Sequence, residues 1–161
     1  MMADVIRHPT PAELPGLAAI ELAADARFAP LGIVFPPGTT MIEEVSDPGR
    51  VFVTGRPPVG FALVGDVDGY VHLDQLAVHP VHEGKGLGTA LLEAVCALGH
   101  VTLTTFRDVP WNAPWYARRG FHVLDSAEWG PELEALVAHE RELGIEVAPR
   151  VVMRRLRSVG T

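Results

Sequence analysis

Four groups of residues in this 161-residue chain have the types and spacing to do chemistry. Gly84-Lys85-Gly86-Leu87-Gly88 lies between an apolar segment ending Leu76-Ala77-Val78-His79-Pro80 and the run Thr89-Ala90-Leu91-Leu92-Glu93-Ala94-Val95. A glycine turn from strand to helix lets backbone approach a ligand closely, and the unpaired N–H groups of the helix's first turn then face an anion. A phosphate is the expected guest. In the preceding strand His72 and Asp74 stand two apart, which puts both side chains on one face. An imidazole of ordinary pKa, about 6.5, can take a proton at neutral pH, and the carboxylate could orient it, raise its basicity or take the proton itself. The bland alternative for His72 is a polar residue on a half-exposed strand. Glu21 and Asp25, four apart on a helix, share a face that could meet a cation or simply be solvated. Phe28, Phe35, Trp111 and Trp115 could wall an apolar pocket or belong to the core.

Two common nucleotide motifs fail on spacing. A Walker loop needs glycine five residues before Gly84, where His79 stands, and Ser or Thr after the lysine, where Gly86 stands. A dinucleotide fingerprint counted from Gly84 meets Thr89 at its third glycine, and no second βαβ unit follows. His79 and His82 flank the turn, but with Pro80 between them and no cysteine nearby no metal site is expected.

What remains is Gly86-x-Gly88 behind the strand residues Leu76 and Val78, followed downstream by Asn112-Ala113-Pro114-Trp115-Tyr116-Ala117-Arg118-Arg119-Gly120-Phe121. These two motifs, in this order, resemble those of the Gcn5-related N-acetyltransferase (GNAT) family, over about Val5 to Leu156. The strand His72-Leu73-Asp74-Gln75-Leu76-Ala77-Val78-His79 is similar to that of the arylalkylamine N-acetyltransferase branch, with Asp74 where that branch has a second histidine. One departure stands out: Glu83 occupies the position of an Arg or Gln. Either its side chain faces solvent and only its backbone N–H binds, or cofactor affinity is reduced.

The resemblance implies acetyl-CoA as cofactor, with Glu83, Gly84, Lys85, Gly86, Leu87, Gly88 and Thr89 around its phosphates and Asn112 in contact with it. It implies direct transfer of acetyl to a primary amine in a ternary complex, with His72, and with it Asp74, as base. Backbone groups of Leu76, Ala77 and Val78, freed by a splay of the strand, would stabilise the oxyanion. Tyr116, with a phenol mostly protonated at pH 7, would be the acid that protonates the departing thiolate; its alternative is core packing beside Trp115. The aromatic residues near the first helix favour a small-molecule acceptor, met by Glu21, Asp25, Phe28, Phe35 and Trp111. Dimers are usual in the family. Two other classes stay open: a non-catalytic acyl-CoA sensor, and a protein-interaction module on the same scaffold.

These residues need a scaffold, and the local signals predict one domain over residues 1–161. Val5 to His8 is a first strand. Thr10-Pro11-Ala12-Glu13 is a capping box that opens a helix to about Arg27. Phe28 to Gly38, with three prolines, is expected to be irregular, and Thr40-Met41-Ile42-Glu43 opens a short helix closed by Asp47-Pro48-Gly49. Strands follow at 51–54, 59–67 and 70–78, the last two joined by the Asp68-Gly69 turn. The later order is helix 86–98, strand 101–105, helix 113–119, strand 121–124, helix 131–143 and strand 151–156. The fold class is α/β (α+β): a mixed, mostly antiparallel sheet with helices on both faces, as the resemblance also implies.

Composition narrows the partners. Thirteen Lys and Arg against twenty Asp and Glu give a net charge of −7, which argues against nucleic acid and anionic membranes and mildly favours a cationic substrate. The N-terminus lacks the apolar run of a signal peptide and no stretch is long enough to span a bilayer, so a cytoplasmic location is expected. Cys96, the only cysteine, falls on the apolar face of its helix and is expected to be buried.

Overall fold

A computed structural model describes residues 5–36 and 40–158. Seven strands form one sheet in the order β1-β2-β3-β4-β5-β7-β6: β1 (Ile6–Arg7), β2 (Val51–Thr54), β3 (Gly60–Val67), β4 (Tyr70–Val78), β5 (Val101–Phe106), β6 (His122–Val123) and β7 (Arg150–Arg155). Every pairing is antiparallel except β4 with β5. The helices are α1 (Leu17–Asp25), α2 (Leu87–Cys96), α3 (Ala113–Ala117) and α4 (Pro131–Glu142). None of these helices is long and apolar enough to cross a membrane.

Local chemistry accounts for most boundaries. The β3–β4 hairpin turns on Asp68 and Gly69, both at positive φ, as a two-residue turn matched to strand twist requires. The Asp68 carboxylate also accepts the N–H groups of Glu132 and Leu133, which caps α4 from across the sheet. The helix expected from Pro11 to Arg27 is instead three pieces: a 3-10 turn at Pro11–Gly16, α1, and a second 3-10 turn at Ala26–Leu31. Pro15 has no N–H to give and its ring obstructs a continuous α-helix. The segment expected to be irregular from Phe28 therefore begins inside a 3-10 turn; Pro37 and Gly38 lie outside the described residues. The short helix expected between the Thr40–Glu43 capping box and Asp47-Pro48-Gly49 is a single 3-10 turn, Ile42–Glu44.

Period-two alternation divides the core between the two faces of the sheet. Ala62, Leu73, Val101, Leu103 and Met153 pack against Leu91, Leu92, Val95 and Cys96 of α2, with Tyr116 and Phe121. On the other face Phe61, Leu63 and Ala77 meet Leu17 and Ile20 of α1, while Val67 and Val152 meet Leu133 and Val137 of α4.

Two irregularities in β4 shape everything that follows. Its parallel pairing with β5 consists of two rungs, Val71 with Val101 and His72 with Thr102, while β5 continues along β7 as far as Phe106. The segment Leu73 to Val78 is thus unpaired on that side, and a wedge opens between it and Leu103–Phe106. On the β3 side, Leu63 pairs with Gln75 and Val64 with Leu73, so Asp74 is the extra residue of a bulge. Gly65 makes room for it: a Cβ there would come within 2.9 Å of the Asp74 carboxylate.

Candidate active site

The wedge ends at the glycine turn. Gly84 and Gly86 take φ of +77° and +78°, and Gly86 is the left-handed N-cap of α2, a conformation that other residues adopt at a cost. No side chain caps α2; the first amide to be satisfied is that of Ala90, which donates to the Gly86 carbonyl. The N–H groups from Gly84 to Thr89 are therefore available as a cluster of donors at the positive end of the helix. Trp115 lies against Gly88, 3.6 Å from where a Cβ would be. Arg119 is laid over the Trp115 ring, 3.8 Å from its centroid, and donates to Thr89 Oγ1. A cation that the sequence reading missed thus stands at the first turn of α2. Lys85 Nζ donates to His82 Nδ1.

Glu83 meets one half of the first expectation and not the other. Its backbone N–H is spent on the Pro80 carbonyl, so it is not a donor for an anion. Its carboxylate is exposed and paired at 3.0 Å with Arg27, whose guanidinium lies on the Trp111 ring.

Within the wedge, strand geometry sets which amides are exposed. The His79 N–H donates toward β3, to the Val59 carbonyl, so those of Ala77 and Gln75 point the same way and those of Leu76 and Val78 point into the wedge. The Leu76 N–H is covered by the side-chain oxygen of Gln75 at 3.2 Å. Asn112, at the start of α3, has a buried Oδ1 with no partner while its Nδ2 donates to the Trp111 carbonyl. A buried acceptor left unpaired costs roughly 1–3 kcal/mol, and this one lies beside Trp111 in the loop entering α3.

The face of the sheet opposite α2 carries the titratable groups. His72 is 2% exposed, its Nδ1 lies 2.8 Å from Thr102 Oγ1, and burial pulls its pKa down to about 4. It sits at the last rung of the β4–β5 pairing, and its partner is Thr102, not Asp74. The expected His72–Asp74 couple is therefore corrected: Asp74 is itself the bulged residue, and its carboxylate pairs with Arg50 at 3.2 Å. Burial raises Asp74 to about 6, the Arg50 charge opposing this and Glu140 adding to it. Asp25 is likewise raised to about 6 by burial.

Glu21, expected to face a cation, is 3% exposed, and its carboxylate accepts the N–H groups of Met41 and Ile42. It ties the following loop to α1. Burial raises its pKa. Phe28, Phe35 and Trp111 do come together, with Phe106 as a fourth member not anticipated: Phe28 lies 5.3, 5.5 and 5.4 Å from Phe35, Phe106 and Trp111. Phe28 and Phe106 are buried, so the cluster is a packed wall whose half-buried edges are Phe35 and Trp111.

Tyr116 is 8% exposed, edge-on to Trp115 and Phe121, and joins the α2 side of the core near Cys96. Burial pushes its hydroxyl above the ordinary phenol range, so it is protonated at pH 7 and can only donate a proton, not accept one.

Residues 47–123, from the approach to β2 through β6, match the model of the acetyltransferase (GNAT) domain. Among solved structures, the chain is similar to N-acetylglutamate synthase from Neisseria gonorrhoeae complexed with coenzyme A and N-acetyl-glutamate. The TM-score is 0.70 at 17% identity, over 98% of this chain and 36% of that one, so this chain spans about a third of the synthase's length. It is also similar to an acetyltransferase of the GNAT family from Staphylococcus aureus Mu50, with TM-score 0.71 at 12% identity over 97% of this chain and 100% of that chain. A third likeness is to the ribosomal-protein-S18-alanine N-acetyltransferase of Escherichia coli, with TM-score 0.66 at 19% identity over 99% and 97%. At these identities the likeness is one of fold.

Proposed function

We propose that this chain, whose residues 47–123 match the acetyltransferase (GNAT) domain, uses acetyl-CoA to acetylate the primary amine of a small molecule by direct attack in a ternary complex. The observation that carries this is the cluster of unpaired amides from Gly84 to Thr89 at the mouth of the β4–β5 wedge. The residues fit the cofactor: amides and Arg119 for phosphates, the Leu76 and Val78 edge for an amide-bearing arm, and the orphaned Asn112 Oδ1 for a donor. When bound, acetyl-CoA supplies the thioester carbonyl, so a C–N bond forms as the C–S bond breaks.

The chain's own residues divide the remaining work. Asp74 takes the proton of the incoming ammonium, because a carboxylate near 6 is ionised at neutral pH yet basic enough to accept one. His72, near 4 and shielded, holds Thr102 at the apex of the wedge and is the weaker base. The Leu76 and Val78 N–H groups, which face the wedge, would stabilise negative charge on an acyl oxygen once Gln75 moves aside from the first. Tyr116 returns a proton to sulfur. Phe35 and Trp111 border the acceptor.

The test is calorimetric titration with acetyl-CoA alongside a thiol-release screen of small amines. Micromolar binding, with CoA release that collapses in Tyr116→Phe, supports the proposal. Binding without release from any amine points to a sensor, and absence of binding ends the cofactor reading.

A further inference from the structure

Arg150 opens β7 as the partner of Phe106, at the wide end of the wedge. Its guanidinium lies on the Phe106 ring, 4.6 Å from the centroid, and Nη2 donates to Thr104 Oγ1, which in turn donates to Glu140. Its Nε is buried without an acceptor. No carboxylate among the described residues comes within ion-pair distance of it; Glu140 and Glu146 act on it only from farther away. The contrast with Arg7, Arg50 and Arg155 is direct, since each of those closes on a carboxylate, Glu13, Asp74 or Glu93. Arg150 is thus a half-buried cation with no carboxylate partner and one N–H unpaired, and a planar guanidinium is suited to a planar carboxylate. Electrostatic reach links it through Glu140 to Asp74.

We propose that Arg150 is a specificity-determining residue that binds an anionic group of the acceptor, so that the acceptor is an amine which also carries a carboxylate, the amino-acid class. The ammonium end faces Asp74 and the carboxylate end faces Arg150, each charge of a zwitterion meeting its opposite. Glu140 repels a bare anion from the same place, which leaves the pairing to molecules that bring both charges. This rests on the acetyltransferase reading and deepens it.

The experiment uses the full chain loaded with acetyl-CoA and pairs of acceptors that differ only in the carboxylate: phenylalanine with phenethylamine, lysine with cadaverine, and the remaining amino acids with their decarboxylated counterparts. The wild-type protein should favour the carboxylated member of at least one pair by about tenfold or more in kcat/KM. In Arg150→Gln that preference should fall about tenfold through KM, with Arg150→Lys between, because lysine keeps the charge and loses the fork. Calorimetric affinity for acetyl-CoA, read in both variants, reports whether they fold. A wild-type preference for the decarboxylated members, or a ratio that Arg150→Gln leaves unchanged, overturns the inference while the acetyltransferase reading stands. Acetyl-CoA that fails to bind the wild-type chain overturns both.

Discussion

The two faces of the central sheet offer a ligand opposite kinds of group. On the α2 face the core is apolar and the groups on offer are backbone amides between Gly84 and Thr89, fixed by two left-handed glycines. On the α1–α4 face the recognising groups are side chains: Asp25 and Asp74 raised to about 6, Glu140 raised as well, and two arginines laid on the rims of an aromatic cluster. Backbone donors are positioned by the fold whatever the neighbouring side chains are, which suits a ligand that does not vary. Side chains brought from α1, β4, β5, α4 and β7 can be exchanged one at a time, which suits an acceptor that defines one enzyme among many. The second face also carries an energetic cost, since buried carboxylates disfavour their charged forms.

Tyr116→Phe tests the apolar face hardest, because it removes one oxygen from a ring that stays packed between Trp115 and Phe121. With an amine that the wild-type chain acetylates, kcat should drop by roughly 10²–10⁴ while acetyl-CoA affinity stays within a few-fold. A kcat within threefold of wild type would return Tyr116 to the core and leave the proton to solvent.

Asp74→Asn asks whether the charged face does chemistry. The expected loss in kcat/KM is on the order of 10², and the acid limb of the pH–rate profile, with an apparent pKa about 6 in the wild type, should vanish. His72→Asn should leave that limb in place. Stability gives an independent reading with the sign worked out. Asp74, near 6 when folded against about 3.9 unfolded, makes the native chain bind more protons between those values, so its contribution is lost as pH rises through that window. His72, near 4 when folded against about 6.5 unfolded, acts oppositely: stability falls as pH drops from about 6.5 to 4. Denaturant midpoints from pH 4 to 7 should therefore steepen on acidification in Asp74→Asn and flatten in His72→Asn.

The third effect is structural. Glu21→Ala leaves the buried N–H of Ile42 and that of Met41 without their acceptor, and the cost should be about 1–3 kcal/mol. Urea midpoints measure it. Glu21→Gln, which keeps one acceptor, should recover part of it, and equal losses would mean that charge rather than hydrogen bonding holds the loop.

How far the sequence carries the reader follows the same division. The glycine turn, the Asp68-Gly69 hairpin and the limits of β4 were legible because each rests on neighbours in the chain and on the narrow preferences of glycine. The charged face was not, because its contacts join residues 24 to 46 positions apart: Asp74 with Arg50, Glu140 with Thr104, Arg150 with Thr104. Two signals were present and passed over. Pro15 divides the first helix, and Gly65 in the middle of β3 marks the bulge at Asp74 that it accommodates. The pairing of Glu83 with Arg27 had no local trace at all.

That pairing supplies the smallest and most discriminating test, because it is where the two faces touch. Arg27 and Glu83 are both partly exposed, so their ion pair is worth at most about 1 kcal/mol. Glu83→Gln removes a negative charge beside the anion turn and should tighten acetyl-CoA binding two- to five-fold, roughly the scale of an exposed charge pair. Arg27→Ala does the opposite, since it leaves the Glu83 carboxylate uncompensated next to the phosphates and strips a cation from the Trp111 rim. The double variant should lie nearer wild type than Arg27→Ala does, the excess being the coupling between the two charges. All three differences should shrink as salt is raised past about 0.15 M, where charges about 8 Å apart are already screened. Calorimetry at two ionic strengths decides it. If both single changes move affinity in the same direction, Arg27 does not offset Glu83, and the anion turn tolerates its acidic neighbour through the backbone amides alone.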